Sequence, residues 1–270
     1  MPEPKLLSPT DILVDRDDPS IAVVTINRPD RRNAVTLAMW QELGRIFTNL
    51  GAESEVRAVI LTGAGGAFCA GADISEFGAV RATVEDGRNY DVVGDACLGA
   101  IASCAKPTIA AISGPCYGGG AGLALSCDFR VADESSYFAI PAARLCNVYG
   151  VVETRAVFEA VGMAAAKEIL YTGRRYELSE AHRIGLVTHL AEGREHAAFA
   201  AAKKLAKSLA ASAPMTIKGA KIIIEALARG EIANQHGAIE QVMDEAIASD
   251  DYKEGVAAFA AKRDPVFTGR

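Results

Sequence analysis

Apolar and polar positions alternate in two ways along the chain. In its first half, short apolar runs are separated by amphipathic stretches. "DILVDRDDPSIAVVTINRP" (11–29) reads as two strands joined at an Asp-Asp-Pro turn and stopped at Arg28-Pro29. "TLAMWQELGRIFTNL" (36–50) puts Leu37, Trp40, Leu43, Phe47 and Leu50 on one helical face, with Thr36 as its cap. "VRAVILTGA" (56–64) and "KPTIAAISG" (106–114) are near-continuous apolar runs, the pattern of strands covered on both faces. An exposed-looking helix is expected between them, around Val84–Cys104, and a further helix from near Gly120. "CDFRVADESSYFAI" (127–140) supplies more short strands.

From Val151 the helical period takes over, with one short strand at "GLVTHL" (185–190). Three closing helices are predicted, in "AAFAAAKKLAKSLAASAP" (197–214), "PMTIKGAKIIIEALA" (214–228) and "IEQVMDEAIASDDYKEGVAAFAAKR" (239–263). Pro214 suits the first turn of the second. The expected fold class is α/β, with a body over 1–200 and a helical part over 201–270. No stretch rich in Pro, Gly or Ser separates the two.

Composition narrows the function classes. The 270 residues carry a formal charge of −6, which argues against a nucleic-acid partner. No apolar run reaches the roughly 18 residues of a membrane span, and the first residues lack a signal-peptide core. A cytoplasmic location is the expectation. The six cysteines form no CxxC and do not pair with histidine at zinc-site spacing, so no metal site is expected.

The candidate chemistry lies in two glycine loops, "GGAFCAGADISEF" (65–77) and "CYGGGAGLALSCD" (116–128). A dinucleotide site fits poorly. Gly118 and Gly120 are followed by Leu123 at the third position of GxGxxG, and the candidate ribose-binding acid, Glu134, does not stand at a clear strand end. Each loop instead follows a buried strand and opens a helix, so each can present backbone N–H groups. Two such donors converging on one point form an oxyanion hole, worth about 3–4 kcal/mol per donor.

Four stretches resemble the crotonase, or enoyl-CoA hydratase/isomerase, superfamily: "NRPDRRNAV" (27–35), the two glycine loops with their flanks, and "AAKEILYTGRRYELSEAHRIGLV" (165–187). The ending "DDYKEGVAAFAAKRDPVF" (250–267) is similar to that family's last helix. The resemblance implies a spiral of ββα turns with a helical trimerisation region, assembled as a homotrimer or as a hexamer of two trimers. It implies an acyl-CoA thioester as ligand, with coenzyme A as part of the substrate and no separate cofactor. The thioester oxygen is expected between the N–H groups of Ala72 and Gly119. Adenine is expected against Ala70, Asp73 and Ile74. Arg31 or Arg32, and Lys262 from a neighbouring subunit, are candidates for the CoA phosphates.

The resemblance also exposes a gap. Hydratases of the family use two glutamates, and their positions here hold Gly122 and Ala142. An aspartate typical of dienoyl-CoA isomerases is replaced by Gly150. Tyr149 lies in a segment similar to that of methylmalonyl-CoA decarboxylase, although the histidine of that enzyme's "AGHD" corresponds to Ala72. Tyr149 and Glu153 are the candidate proton-transfer residues, with Arg144, Glu76 and Tyr117 as further pocket candidates. Three activities follow: unusual proton transfer in a hydratase/isomerase-class enzyme, decarboxylation of an alkylmalonyl-type CoA ester, or acyl-CoA binding without turnover.

Overall fold

A computed structural model describes residues 5–194 and 196–270. In chain order the elements are β1 (Ile12–Asp18), β2 (Ile21–Ile26), α1 (Leu37–Ala52), β3 (Ala58–Gly63), α2 (Phe77–Val80) and α3 (Val84–Ala102). Next come β4 (Thr108–Ile112), β5 (Pro115–Tyr117), α4 (Gly119–Leu125), β6 (Phe129–Asp133), β7 (Tyr137–Ala139) and α5 (Val151–Thr172). The chain closes with β8 (Tyr176–Glu177), α6 (Leu178–Ile184), β9 (His189–Ala191), α7 (Ala197–Ala210), α8 (Pro214–Arg229), α9 (Ile232–Ala248) and α10 (Asp250–Ala261).

The strands form two sheets, in the orders β1-β2-β3-β4-β6-β9 and β5-β7-β8. The first is parallel except for the β1–β2 hairpin. Successive strand pairs are shared out between the sheets: β4 goes to the large one and β5 to the small one before α4, then β6 and β7 before α5. This is the expected spiral of ββα turns.

The period of two along each strand sorts side chains onto two cores. Ala22, Val24, Ile26, Val59 and Leu61 join the core that holds α1 and α3. Ile21, Val23, Ala58 and Ile60 face the other way, against Ala202 and Ala206 of α7. Small residues one turn apart let this helix lie close to the sheet. The buried Asp133 fixes its start, accepting from the Ala198 N–H and from Ser113 and Ser135. The expected 200/201 boundary falls inside α7.

Three expectations need correction. The predicted third closing helix is two, α9 and α10, broken at Ser249, whose backbone is extended and whose hydroxyl caps Tyr252 N–H. The α3 region is not an exposed helix: Tyr90, Cys97, Leu98 and Ile101 are buried on one face. Strands β5 and β8 span three and two residues, too short to leave a period in the sequence.

The terminal helices are tied to the body by an ion pair of low exposure. Lys221 of α8 donates to Asp128 at 3.0 Å, and the same carboxylate accepts from the Thr108 N–H and hydroxyl at the start of β4. Replacing Lys221 leaves a half-buried carboxylate without its cation, at a cost of about 2 kcal/mol. K221A is therefore expected to melt roughly 4 °C lower by calorimetry. An unchanged melting temperature would show that the contact does not hold α8 in place.

Candidate active site

Two backbone bridges position the first glycine loop. Cys69 bridges Cys116 in parallel register, donating its N–H to Pro115 O and accepting from the Tyr117 N–H. Ala72 bridges Val35, which bonds its two neighbours: the Val35 N–H goes to Gly71 O and the Asp73 N–H to Val35 O. In a parallel bridge with this pattern, the N–H of Ala72 itself points away from Val35. Among the described residues no acceptor meets it.

Gly119 supplies a second free donor because it opens α4, where the first N–H groups have no partner inside the helix. Gly118, the N-cap, has a φ of 51°, a conformation that suits glycine. At Gly120 a Cβ would stand 2.4 Å from Cys69 O, so only glycine lets α4 sit against the first loop. The Cβ position of Gly119 is 3.6 Å from Ala72 N, which places both donors on one wall. The indole of Trp40 covers that wall, with Cζ2 2.8 Å from the same point. Trp40 is held there by donating Nε1–H to Tyr90 Oη at 3.0 Å.

The wall belongs to a cavity of about 60 Å³ that Ala72, Gly119, Tyr149 and Glu153 all line. All four residues expected to act at the reacting atoms are thus brought together. Opposite them α3 contributes Tyr90, Asp91, Gly94, Asp95 and Leu98, none of which was expected from the sequence. Gly122 and Ala142, buried where glutamates were expected, carry no polar side chain into it. The space beside Gly122 is taken by Leu98, whose δ-methyl lies 3.5 Å from its Cβ position.

Three carboxylates and one guanidinium set the electrostatics. Arg81 pairs with Asp91 at 2.7 Å, donates to Asn147 and lies over the rings of Phe77 and Tyr90. Glu153, in the first turn of α5, accepts from the Gly150 N–H at 3.2 Å. Its carboxyl is pushed up to about 7, first by burial and then by repulsion from Asp95 and Asp91, with the Gly150 N–H opposing. Burial and then Asp91 also raise the Asp95 carboxyl. Tyr149 is raised by burial and then by Glu153, so its phenol stays protonated; its Oη lies 3.6 Å from the Cβ position of Gly118.

The remaining expected residues lie elsewhere. Ala70 and Asp73 flank the oxyanion wall, and Ile74 is 63% exposed beside them. The Asp73 carboxylate is a structural anchor: burial opposes its charge, but hydrogen bonds from Lys5, Ser75 and Arg28 hold it well below the usual carboxylate range. Arg31 and Arg32 are exposed in the preceding loop. Lys262 caps the exposed end of α10 and does not reach the cavity within one chain. Glu76, Tyr117 and Arg144 do not line it either: Glu76 is buried under α1, accepting from Leu37 N–H, and Tyr117 packs edge-on against Tyr137. Among the described residues no cluster of three or more His, Cys, Asp or Glu is arranged for a metal ion, and no helix is long and apolar enough to cross a membrane.

Comparison with known proteins identifies the family and the fold. The family model described as enoyl-CoA hydratase/isomerase matches residues 16–270. A short-chain-enoyl-CoA hydratase of Clostridium acetobutylicum is 35% identical over 244 residues, covering 90% of this chain and 92% of its own. The human mitochondrial enoyl-CoA hydratase domain-containing protein 2 is 34% identical, with 94% and 87% covered. A solved enoyl-CoA hydratase/carnithine racemase from Magnetospirillum magneticum superposes with a TM-score of 0.90 at 39% identity, with 97% of each chain covered.

Asn33 ties the segment before α1 to the start of the first glycine loop. Buried and with a φ of 58°, it accepts from the Arg28 N–H and donates to the carbonyls of Ala64 and Ala67. N33A removes all three bonds and leaves the Ala67 carbonyl buried without its donor, a loss of about 3 kcal/mol by denaturant titration. N33G, which tolerates the backbone conformation, is expected to lose somewhat less. Wild-type stability in both variants would contradict this role.

Proposed function

The chain belongs to the enoyl-CoA hydratase/isomerase family, and on that premise we propose that it processes acyl-CoA thioesters through an enolate held between the N–H groups of Ala72 and Gly119. The observation that carries this reading is the pair of free backbone donors on one wall of a cavity that also holds a carboxyl group, Glu153. Charge moving onto the thioester oxygen meets donors that are already oriented, so little reorganisation is needed. Glu153 gives a proton to the α-carbon, or takes one from it, as the enolate collapses or forms. Tyr149, uncharged, orients the acyl group by a hydrogen bond. This division of labour replaces the glutamates absent at Gly122 and Ala142.

The electrostatics favour a neutral acyl group over the alkylmalonyl-type acid of the decarboxylase reading. Arg81 is already engaged by Asp91, while Asp95 and Glu153 would repel a second anion. Binding without turnover is less well supported, because a carboxyl near 7 is poised to exchange protons at neutral pH. The CoA moiety is assigned to the outer side of the same wall, adenine along Ala70, Asp73 and Ile74 and the phosphates near Arg31. Lys262 would reach them from a neighbouring copy. A homotrimer, or a hexamer built from two, is supported by exposed apolar side chains on α8–α10, among them Ile224, Leu227, Met243 and Phe259.

The test is incubation with crotonyl-CoA and longer enoyl-CoA esters, with products followed by mass spectrometry. Turnover is expected, with E153Q slower by about 100-fold or more and KM nearly unchanged. As a proton donor Glu153 works in its protonated form, so kcat/KM for hydration should fall tenfold per unit above pH about 7. Saturable binding of CoA esters without any turnover, or no binding at all, would overturn the proposal.

A further inference from the structure

Resting on that reading, we propose that Asp95 of α3 is a second catalytic carboxylate: it takes the proton of the water that adds to the acyl double bond, while Glu153 of α5 serves the α-carbon. The structure brings the two to one place, around Gly150. Glu153 Oε2 accepts the Gly150 N–H at 3.2 Å, and the Asp95 oxygens lie 3.6 and 3.7 Å from where a Cβ at Gly150 would stand. A carboxylate of α3 thus lies beside Gly150, the residue that opens α5. Both acids line the cavity with the oxyanion donors.

Asp95 has the properties of a base held for use. Among the described residues it forms no ion pair and no hydrogen bond within the chain, whereas Asp91, one turn earlier, is engaged by Arg81. The charged and titratable groups around the pair are Arg81 before α3, Tyr90 and Asp91 on α3, and Tyr149 before α5. Trp40 of α1 brings no charge. None of these neutralises Asp95, and a cavity of about 60 Å³ between polar groups has room for water.

The step balances with the substrate and water alone. The oxygen of the water forms a bond to the β-carbon as Asp95 removes one of its protons. The π electrons of the Cα=Cβ bond move into the thioester, whose oxygen becomes the enolate oxygen between Ala72 and Gly119. The enolate then takes the proton of Glu153 at the α-carbon and the carbonyl re-forms. Asp95 is left protonated and Glu153 ionised, and one proton passing between them through water restores the pair. The reverse direction is a dehydration. Reactions that consume the product therefore start from a 3-hydroxyacyl thioester.

The experiment compares wild type, D95N and E153Q in two assays: hydration of crotonyl-CoA, and exchange of the α-protons of butyryl-CoA in D2O, which needs no added water. D95N is expected to lose about 100-fold or more in hydration and to keep exchange within a few-fold. E153Q is expected to lose both. The alkaline fall of kcat/KM should also move to lower pH in D95N, because the charge that repels ionised Glu153 is gone. A merely structural Asp95 would lower both activities in parallel, and that result, or unchanged hydration in D95N, overturns the proposal. A wild type that exchanges but does not hydrate overturns the carboxylate pair alone. A wild type that does neither overturns the functional reading together with the pair.

Discussion

The site depends on one constraint: the segment Cys69–Asp73 is bonded on opposite sides at its two ends. At Cys69 it pairs with β5, and at Ala72 it pairs with Val35. The alternation of a parallel bridge then leaves the Ala72 N–H pointing away from Val35. This leaves the N–H of a half-buried residue without a partner among the described residues, a donor open to a ligand. Gly120 brings α4 up against the Cys69 carbonyl, and with it the uncapped start of that helix. Two donors without acceptors on one wall thus arise from strand pairing and helix geometry, with no side chain required.

The chemistry placed opposite that wall follows from the same packing. Because Gly122 has no side chain, Leu98 fills the space beside α4 and the α3 face continues outward through Asp95 and Asp91. The carboxylates therefore enter from α3 and α5. Burial first, and then the nearby Asp95 and Asp91, pushes Glu153 up to about 7, into the range where a carboxyl can both give and accept a proton. Arg81 engages Asp91, and Asp95 and Glu153 are left without an ion pair among the described residues.

Much of this was legible in the sequence. The strands covered on both faces, the Thr36 cap and both glycine loops stand where the patterns put them, and Ala72, Gly119, Tyr149 and Glu153 do meet at one cavity. The acids of α3 were not legible. Asp91 and Asp95, four apart, have the spacing of an ordinary solvated helical face, and only the tertiary packing turns that face toward α5. The break at Ser249 was hidden because the apolar period continues through it, and β8 because two residues carry no period. Lys262 was assigned through a resemblance to an assembly, and a single chain does not bring it to the cavity.

The claim that the two backbone donors polarise a thioester is tested most directly by isotope-edited infrared spectroscopy of bound butyryl-CoA labelled at its thioester carbonyl. The account predicts a carbonyl stretch shifted to lower frequency than in free butyryl-CoA, since hydrogen bonds from Ala72 and Gly119 weaken the C=O bond. A bound carbonyl with the same frequency as the free ester would contradict it.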